Sequence, residues 1–299
     1  MEKYAHLGEI VAKKGDYEAI DCSVCGFIHV FPLPPEEELE RYYSKIFYGA
    51  ERKPDYFQKQ RAQKEWWNRV FDDRLEKIEN ILGRKGHILD VGCGPGFFLA
   101  RARERGWRVS GVEPSPHAVS FANSELGLSV CLGEIETFTS DECFDVIHSH
   151  GVIEHVLSPH NFVSRTREMM CEDAVMFASV ANDFSPIQKI LQARGFPDWW
   201  FVPPEHINYF QVQTFKSLFE RHGLDPIDVT TTFPIEFFLL FGDDYVRNPE
   251  IGGSCHNRRV NFENAFIETG NKALLNDFYN NLSSLGFGRQ IECLSRVKK

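Results

Sequence analysis

The sequence predicts an α/β chain whose main element is a doubly wound, mostly parallel sheet of seven strands. Two observations carry this. From His87 onward, short apolar runs of strand character alternate with segments of helical periodicity. One run, Ile88–Val91, passes directly into the glycine-rich turn Gly92-Cys93-Gly94-Pro95-Gly96, and the next run ends in the acid Glu113. A strand, a glycine turn, a helix and a second strand ended by a carboxylate form a nucleotide-binding βαβ unit.

The elements follow in order. Residues 1–50 are expected to form a small separate module. Within it Gly15–Val30 alternates as a hairpin around Cys22-Ser23-Val24-Cys25-Gly26, and Pro35 starts a helix with acids in its first turn. Residues 51–85 link the module to the rest. Phe57, Trp66, Trp67, Val70, Phe71, Leu75, Ile78, Ile81 and Leu82 recur at helical spacing, so one amphipathic helix is expected over 55–82, ended by Gly83 and Gly86. Residues 86–299 form the main domain. Strands are expected at 87–92, 108–113, 129–132, 144–149, 174–180, 226–232 and 288–297, with helices near 97–105, 116–126, 160–171, 214–222 and 262–285. Two connections, 181–213 and 233–261, exceed ordinary loop length and follow strands whose ends border a ligand crevice in such sheets.

Composition bounds the function. At 299 residues, with 42% apolar and 25% charged residues, the chain can bury a full core. A net charge of −10, with no run of Lys and Arg, argues against a nucleic-acid partner. Met1–Lys14 is too polar for a signal peptide, and Phe233–Phe241, interrupted by Glu236, is too short to insert in a membrane. A cytoplasmic protein with eight reduced cysteines is expected. Cys93, Cys131, Cys143, Cys171 and Cys293 read as small core residues.

The glycine spacing separates two cofactor classes. A dinucleotide fingerprint requires its third glycine at position 97, which is Phe97; here it is Gly96. The resulting G-x-G-x-G resembles motif I of the class I methyltransferases that use S-adenosyl-L-methionine, with Glu113 as their motif II acid. The resemblance implies a Rossmann-like fold whose last strand is antiparallel and inserted beside the preceding one. It implies that Gly92, Cys93, Gly94 and Gly96 wrap the methionine end and ribose, that Asp90 holds the methionine ammonium, and that Glu113 takes both ribose hydroxyls. Glu134 and the backbone of Ile135 would meet the adenine, and Ser149 and His150 would line the methionine. Ile153-Glu154-His155-Val156 resembles the element that follows this strand in the family.

Methyl transfer from a sulfonium needs alignment, exclusion of water and, for a protic acceptor, a base. His206 is the expected base. Glu205-His206-Ile207-Asn208-Tyr209-Phe210 resembles the E-H-x-x-x-F element of methyltransferases acting on sugars of surface glycans and deoxysugar pathways. Sugar C-methyltransferases of that group carry a tyrosine three residues before the histidine; here that position is Pro203, so Tyr209 or an oxygen acceptor takes its place. His155 is the second candidate base, and His148 reads as structural. Phe196–Phe201 reads as an aromatic lid or as core packing, and Arg247, Arg258 and Arg259 as phosphate ligands or surface ion pairs. The expected acceptor is a small molecule, a sugar or nucleotide-linked sugar, with a homodimer as one assembly. The alternatives are a quinone or small-aromatic O-methyltransferase and a non-catalytic S-adenosylmethionine-binding protein.

Cys22-x-x-Cys25-Gly26, Phe31-Pro32, Pro34 and Tyr42-Tyr43 resemble half of the zinc-binding module that precedes many sugar methyltransferases, which carry two C-x-x-C pairs. The upstream pair is absent, so the module is expected to have lost its metal, with Cys22 and Cys25 as candidate ligands should His6 and another residue such as His29 complete a site.

Overall fold

The computed structural model of the protein describes residues 6–41 and 56–298. Tyr42, Tyr43 and the boundary expected at residue 50 lie outside the described residues. The chain begins with β1 (Gly8–Lys14), β2 (Tyr17–Cys22) and β3 (Phe27–Phe31), an antiparallel meander where one hairpin was expected. β1 escaped the sequence reading because almost all of it is exposed and it shows no alternation to read.

Helix α1 (Glu36–Arg41) precedes α2 (Tyr56–Ala62) and α3 (Lys64–Leu82). The single helix expected over 55–82 is therefore interrupted, at Gln63. Gly83, at φ 67°, closes α3 by donating its N–H to the Glu79 carbonyl at 2.8 Å. The βα alternation follows as β4 (His87–Val91), α4 (Phe97–Glu104), β5 (Arg108–Glu113), α5 (Pro116–Leu126), β6 (Val130–Leu132), β7 (Phe144–His150), α6 (Pro159–Glu168) and β8 (Met170–Ala181). The 181–213 connection holds α7 (Pro186–Ala193) and the two-residue β9 (Asn208–Tyr209), and α8 (Val212–Arg221) leads to β10 (Leu224–Thr231). The 233–261 connection is largely helical: α9 (Glu236–Leu240) lies in it and α10 (Gly252–Glu268) starts there. Thr269-Gly270-Asn271 splits the helix expected at 262–285 into α10 and α11 (Lys272–Ser284), before β11 (Gln290–Val297).

The main sheet has seven strands in the order β10-β11-β8-β7-β4-β5-β6, with the last strand of the chain antiparallel. This is the Rossmann-like sheet expected. From β4 the chain runs outward through β5 and β6, then returns to β7 on the other side of β4. The strand order therefore reverses at β4, where sheets of this kind open a crevice beyond the strand ends. A second sheet has the order β1-β2-β3-β9, with Ile28 opposite Tyr209 and His29 opposite Asn208.

The Cα packing divides the chain into two compact units. One comprises Pro32–Ala178, Leu218–Ile227 and Leu294–Lys299, and the other Met1–Phe31, Ser179–Ser217 and Asp228–Cys293. In the former, Phe71, Leu75 and Ile78 of α3 join Phe98 and Leu99 of α4, Ile88, Val146 and Phe177 in one apolar core. In the latter, Phe233, Phe238 and Cys255 form a smaller core with Tyr245, Phe262 and Tyr279 around it.

The cysteine expectation needs correction. Cys143 and Cys171 form a disulfide, because the residue before β7 and the second residue of the neighbouring β8 stand with Cα atoms 5.1 Å apart, within bonding reach. Cys131 is exposed rather than core, while Cys93 and Cys293 are buried as expected. Among the described residues no helix is long and apolar enough to cross a membrane.

Candidate functional site

Asp90, 3% exposed, stands next to last in β4, and the glycine turn that follows the strand begins with Gly92 at φ 70°. Gly92 admits no side chain: a Cβ there would come within 2.4 Å of Val152 Cγ2, and its φ lies in the left-handed region. The Gly92 N–H donates to the Val112 carbonyl at 2.8 Å, which ties the turn to β5. At the end of β5, Glu113 locks the turn from the other side. Its Oε2 accepts the Gly94 N–H at 2.8 Å and its Oε1 the Ser115 N–H at 2.9 Å. Burial pushes the Glu113 carboxyl up to about 7, against these two N–H groups, which favour the anion. Each oxygen keeps a lone pair for a further donor.

Asp90 accepts a hydrogen bond from His148 Nδ1 at 2.6 Å, and the His148 ring is stacked between Phe98 and Phe177 at 3.7 and 5.2 Å between centroids. His148 is thus held by the residue expected to meet the methionine. Ser149 is buried and its Oγ has no hydrogen-bond partner among the described residues. His150 Nδ1 accepts from the Arg74 guanidinium at 3.2 Å, and that guanidinium also lies over the Phe177 ring at 5.1 Å. Burial, with Arg74 and His148 adding to it, depresses the His150 imidazolium well below its ordinary range. Cys93 is buried, and burial holds its thiol well above the usual value, so it contributes a thiol and not a thiolate. Glu134 is exposed and caps the short turn after β6, where its carbonyl accepts the Phe138 N–H at 3.0 Å; Ile135 beside it is buried.

Arg74 was not singled out from sequence, yet the signal was there. With Phe71, Leu75 and Ile78 it completes an i, i+3, i+4, i+7 stripe, and a cation on the buried face of a helix calls for a partner.

In the other unit, β8 ends at Ala181 and Asn182-Asp183 follow it; Phe184 takes φ 55°, a left-handed conformation rare for an aromatic residue. Ser185 then caps α7 in a capping box with Gln188. The Asp183 N–H donates to the Phe210 carbonyl at 3.0 Å, so the 202–210 segment runs beside Asp183. His206 Nδ1 lies 3.6 Å from Asp183 Oδ2, and Asp183 Oδ1 accepts from Arg289 at 2.8 Å and Gln188 at 3.2 Å. Burial alone would raise the Asp183 carboxyl, but the Arg289 and His206 charges outweigh it and hold it below the ordinary value. Glu236, fully buried and 3.7 Å from Arg289, is raised by its burial. Tyr209 donates its hydroxyl to the His206 carbonyl at 2.6 Å, and burial raises its phenol well above the ordinary range.

Among the other candidates, His155 is half-buried in the turn after β7, where its N–H donates to the Val152 carbonyl at 2.9 Å. Trp200 and Phe201 are buried, with Phe184 and Tyr209 against them, as core and not as a lid. Arg247 pairs with Asp244 at 3.0 Å and Arg258 with Asp243 at 2.6 Å. Asp183, Glu236 and Arg289 lay unread in the sequence. Glu236 was visible as a charge inside an apolar run; Asp183 and Arg289 are separated by 106 positions and nothing local pairs them.

The profile of a family described as a methyltransferase domain matches residues 57–229, more than half of the chain. The chain belongs to this methyltransferase family, whose members draw the methyl group from S-adenosylmethionine. A ubiquinone biosynthesis O-methyltransferase of Glaesserella parasuis is 29% identical over 118 residues, covering 36% of this chain and 49% of that protein. A tRNA U34 carboxymethyltransferase of Pseudoalteromonas translucida is 27% identical over 177 residues, covering 54% and 50%. The chain thus spans about half the length of the curated relatives it matches, 49% and 57% in two of them. The crystal structure of a SAM-dependent methyltransferase from Archaeoglobus fulgidus shares the fold, with a TM-score of 0.52 at 15% identity over 81% of this chain and 99% of that one.

Proposed function

We propose that this methyltransferase binds S-adenosylmethionine at the Asp90–Gly96 turn and Glu113 and methylates a protic small molecule with His206 as base. The observation that carries the reading is the Glu113 carboxylate, fixed by the Gly94 and Ser115 N–H groups with a lone pair on each oxygen left for vicinal hydroxyls. The buried Ser149 hydroxyl, lacking a partner among the described residues, suits the polar methionine end. Arg74 adds a cation for a carboxylate in the same unit. When bound, S-adenosylmethionine supplies a methyl group on a sulfonium. The chain supplies orientation, a dry surround and a proton acceptor. In this reading His206 takes the acceptor proton, Asp183 orients it and stabilises the imidazolium, and Tyr209 fixes the segment by its bond to the His206 carbonyl. His155 is the second candidate for the base. Glu134 and Ile135 take the adenine end.

The acceptor in this proposal is the hydroxyl of a sugar or nucleotide-linked sugar, on the strength of the 205–210 element. A second reading, a phenol of the quinone-ring type, is favoured by the ubiquinone O-methyltransferase relatives. Chemistry separates the two. A phenol ionises near pH 10 and a sugar hydroxyl far above it, so the sugar depends more on a base.

The test is calorimetric titration with S-adenosylmethionine, followed by assay of nucleotide sugars and catechols with wild type and His206→Ala. The expectation is micromolar cofactor affinity in both proteins and loss of sugar methylation by ~10²–10⁴ in the variant. Equal turnover in the variant removes His206 as base, and methylation of catechols alone selects the second reading.

A further inference from the structure

We propose that His6, Cys22, Cys25 and His29 bind one zinc ion, through a ligand set that replaces the missing second C-x-x-C pair. One donor atom from each of the four residues lies within 4.8 Å of all the others. Zn–S and Zn–N bonds of about 2.3 and 2.0–2.1 Å place sulfur and nitrogen about 3.6 Å apart on a tetrahedron. Cys22 Sγ and Cys25 Sγ stand 3.8 and 3.5 Å from His6 Nδ1. Two sulfurs and two imidazole nitrogens at these separations suit zinc and are unsuited to calcium or magnesium, which take oxygen.

The backbone has the form such a site requires. Cys22–Gly26 is a tight knuckle between β2 and β3: the Gly26 N–H donates to the Cys22 carbonyl at 2.7 Å, with Gly26 at φ 82°. The Cys25 N–H donates to Cys22 Sγ at 3.4 Å, which holds the two cysteines together across the knuckle. Ser23 holds the Leu7 carbonyl with both its N–H, at 2.9 Å, and its hydroxyl, at 3.0 Å, which keeps His6 against the knuckle.

His29 is the independent observation. It is 2% exposed; its Nδ1 donates to the Val30 carbonyl at 2.8 Å, and its Nε2 is buried without a hydrogen-bond partner among the described residues. A carbonyl on Nδ1 fixes the tautomer that leaves a lone pair on Nε2, as in metal-bound histidines. A buried imidazole nitrogen left with nothing to accept from is a cost that a metal removes. The role is structural. All four coordination positions are filled by protein, so none is open to a substrate. The ion would fasten the stretch before β1 to the β2–β3 knuckle, in the sheet where His29 stands opposite Asn208.

The full chain, produced in zinc-supplemented medium, should carry about one zinc by elemental analysis. Cobalt(II) titrated into chelator-stripped protein should give the intense visible bands of a tetrahedral centre and a thiolate charge-transfer band. His6→Ala and His29→Ala should each weaken cobalt affinity beyond the ~10- to 100-fold that follows loss of a residue merely orienting a ligand. Stripped wild type that gives no tetrahedral cobalt spectrum overturns the site, even if the variants fail to fold. Unchanged affinity in either histidine variant overturns this ligand set. Both readouts are independent of methyl transfer, so their failure leaves the proposed activity standing.

Discussion

Asp90 and Glu113 are both buried acids at the ends of paired strands, yet their partners differ. Asp90 meets a side chain, His148, whereas Glu113 is held by the Gly94 and Ser115 backbone N–H groups. A carboxylate held by backbone is fixed in place, and burial still pushes it up to about 7. This has a measurable consequence. Ribose hydroxyls donate to the anion, so cofactor affinity should fall as pH drops through 7, by roughly tenfold between pH 8 and pH 6. Glu113→Gln should bind weakly and lose that pH dependence; a calorimetric series with equal slopes in both proteins would count against Glu113 as the ribose ligand. The stability effect has the opposite sense. With its folded value above the unfolded one, the protonated group favours the fold below about pH 4.5, and this contribution is lost as pH rises through 7.

At the scale of elements, the stretch from β8 to α8 shows how a long connection becomes a rigid one. Ser185 and Gln188 cap α7, Phe184 takes a left-handed turn, and Asp183 is gripped by Gln188, Arg289 and His206. Arg289, in the approach to β11, is the cation for two buried carboxylates, Asp183 and Glu236. Arg289→Met would leave Glu236 without a counter-charge and Asp183 with His206 alone, and breaking a buried pair costs about 3–5 kcal/mol. A urea midpoint lowered accordingly, with part of the loss recovered by adding Glu236→Gln, is the expected result. A midpoint within about 0.5 kcal/mol of wild type would show that the network is not holding the element.

At the scale of the molecule, the net charge of −10 opposes a polyanion, although one relative is named as a tRNA enzyme. Fluorescence anisotropy with tRNA at physiological salt should show no saturation below about 100 μM. Saturable micromolar binding would point to a basic face that the overall charge conceals. The sheet and the glycine turn after β4 were legible in the sequence because both are local: alternation fixes strands, and G-x-G-x-G with a carboxylate one strand later is contained in some twenty residues. Helix breaks at Gln63 and Thr269–Asn271 were not legible, since apolar periodicity continues across them. Nor was the exposed edge strand β1, which carries no alternation.

The sequence by itself determined the α/β class and the methyltransferase family, because both rest on patterns of neighbouring residues; the antiparallel last strand followed from the resemblance to that family. Only the tertiary structure decided that Asp183 joins Arg289 and His206, that Arg74 meets His150, that Cys143 bonds Cys171, and that His6 and His29 converge on Cys22 and Cys25. Those meetings depend on strand register and on which elements are neighbours in space, and no residue-by-residue periodicity encodes a contact between distant segments.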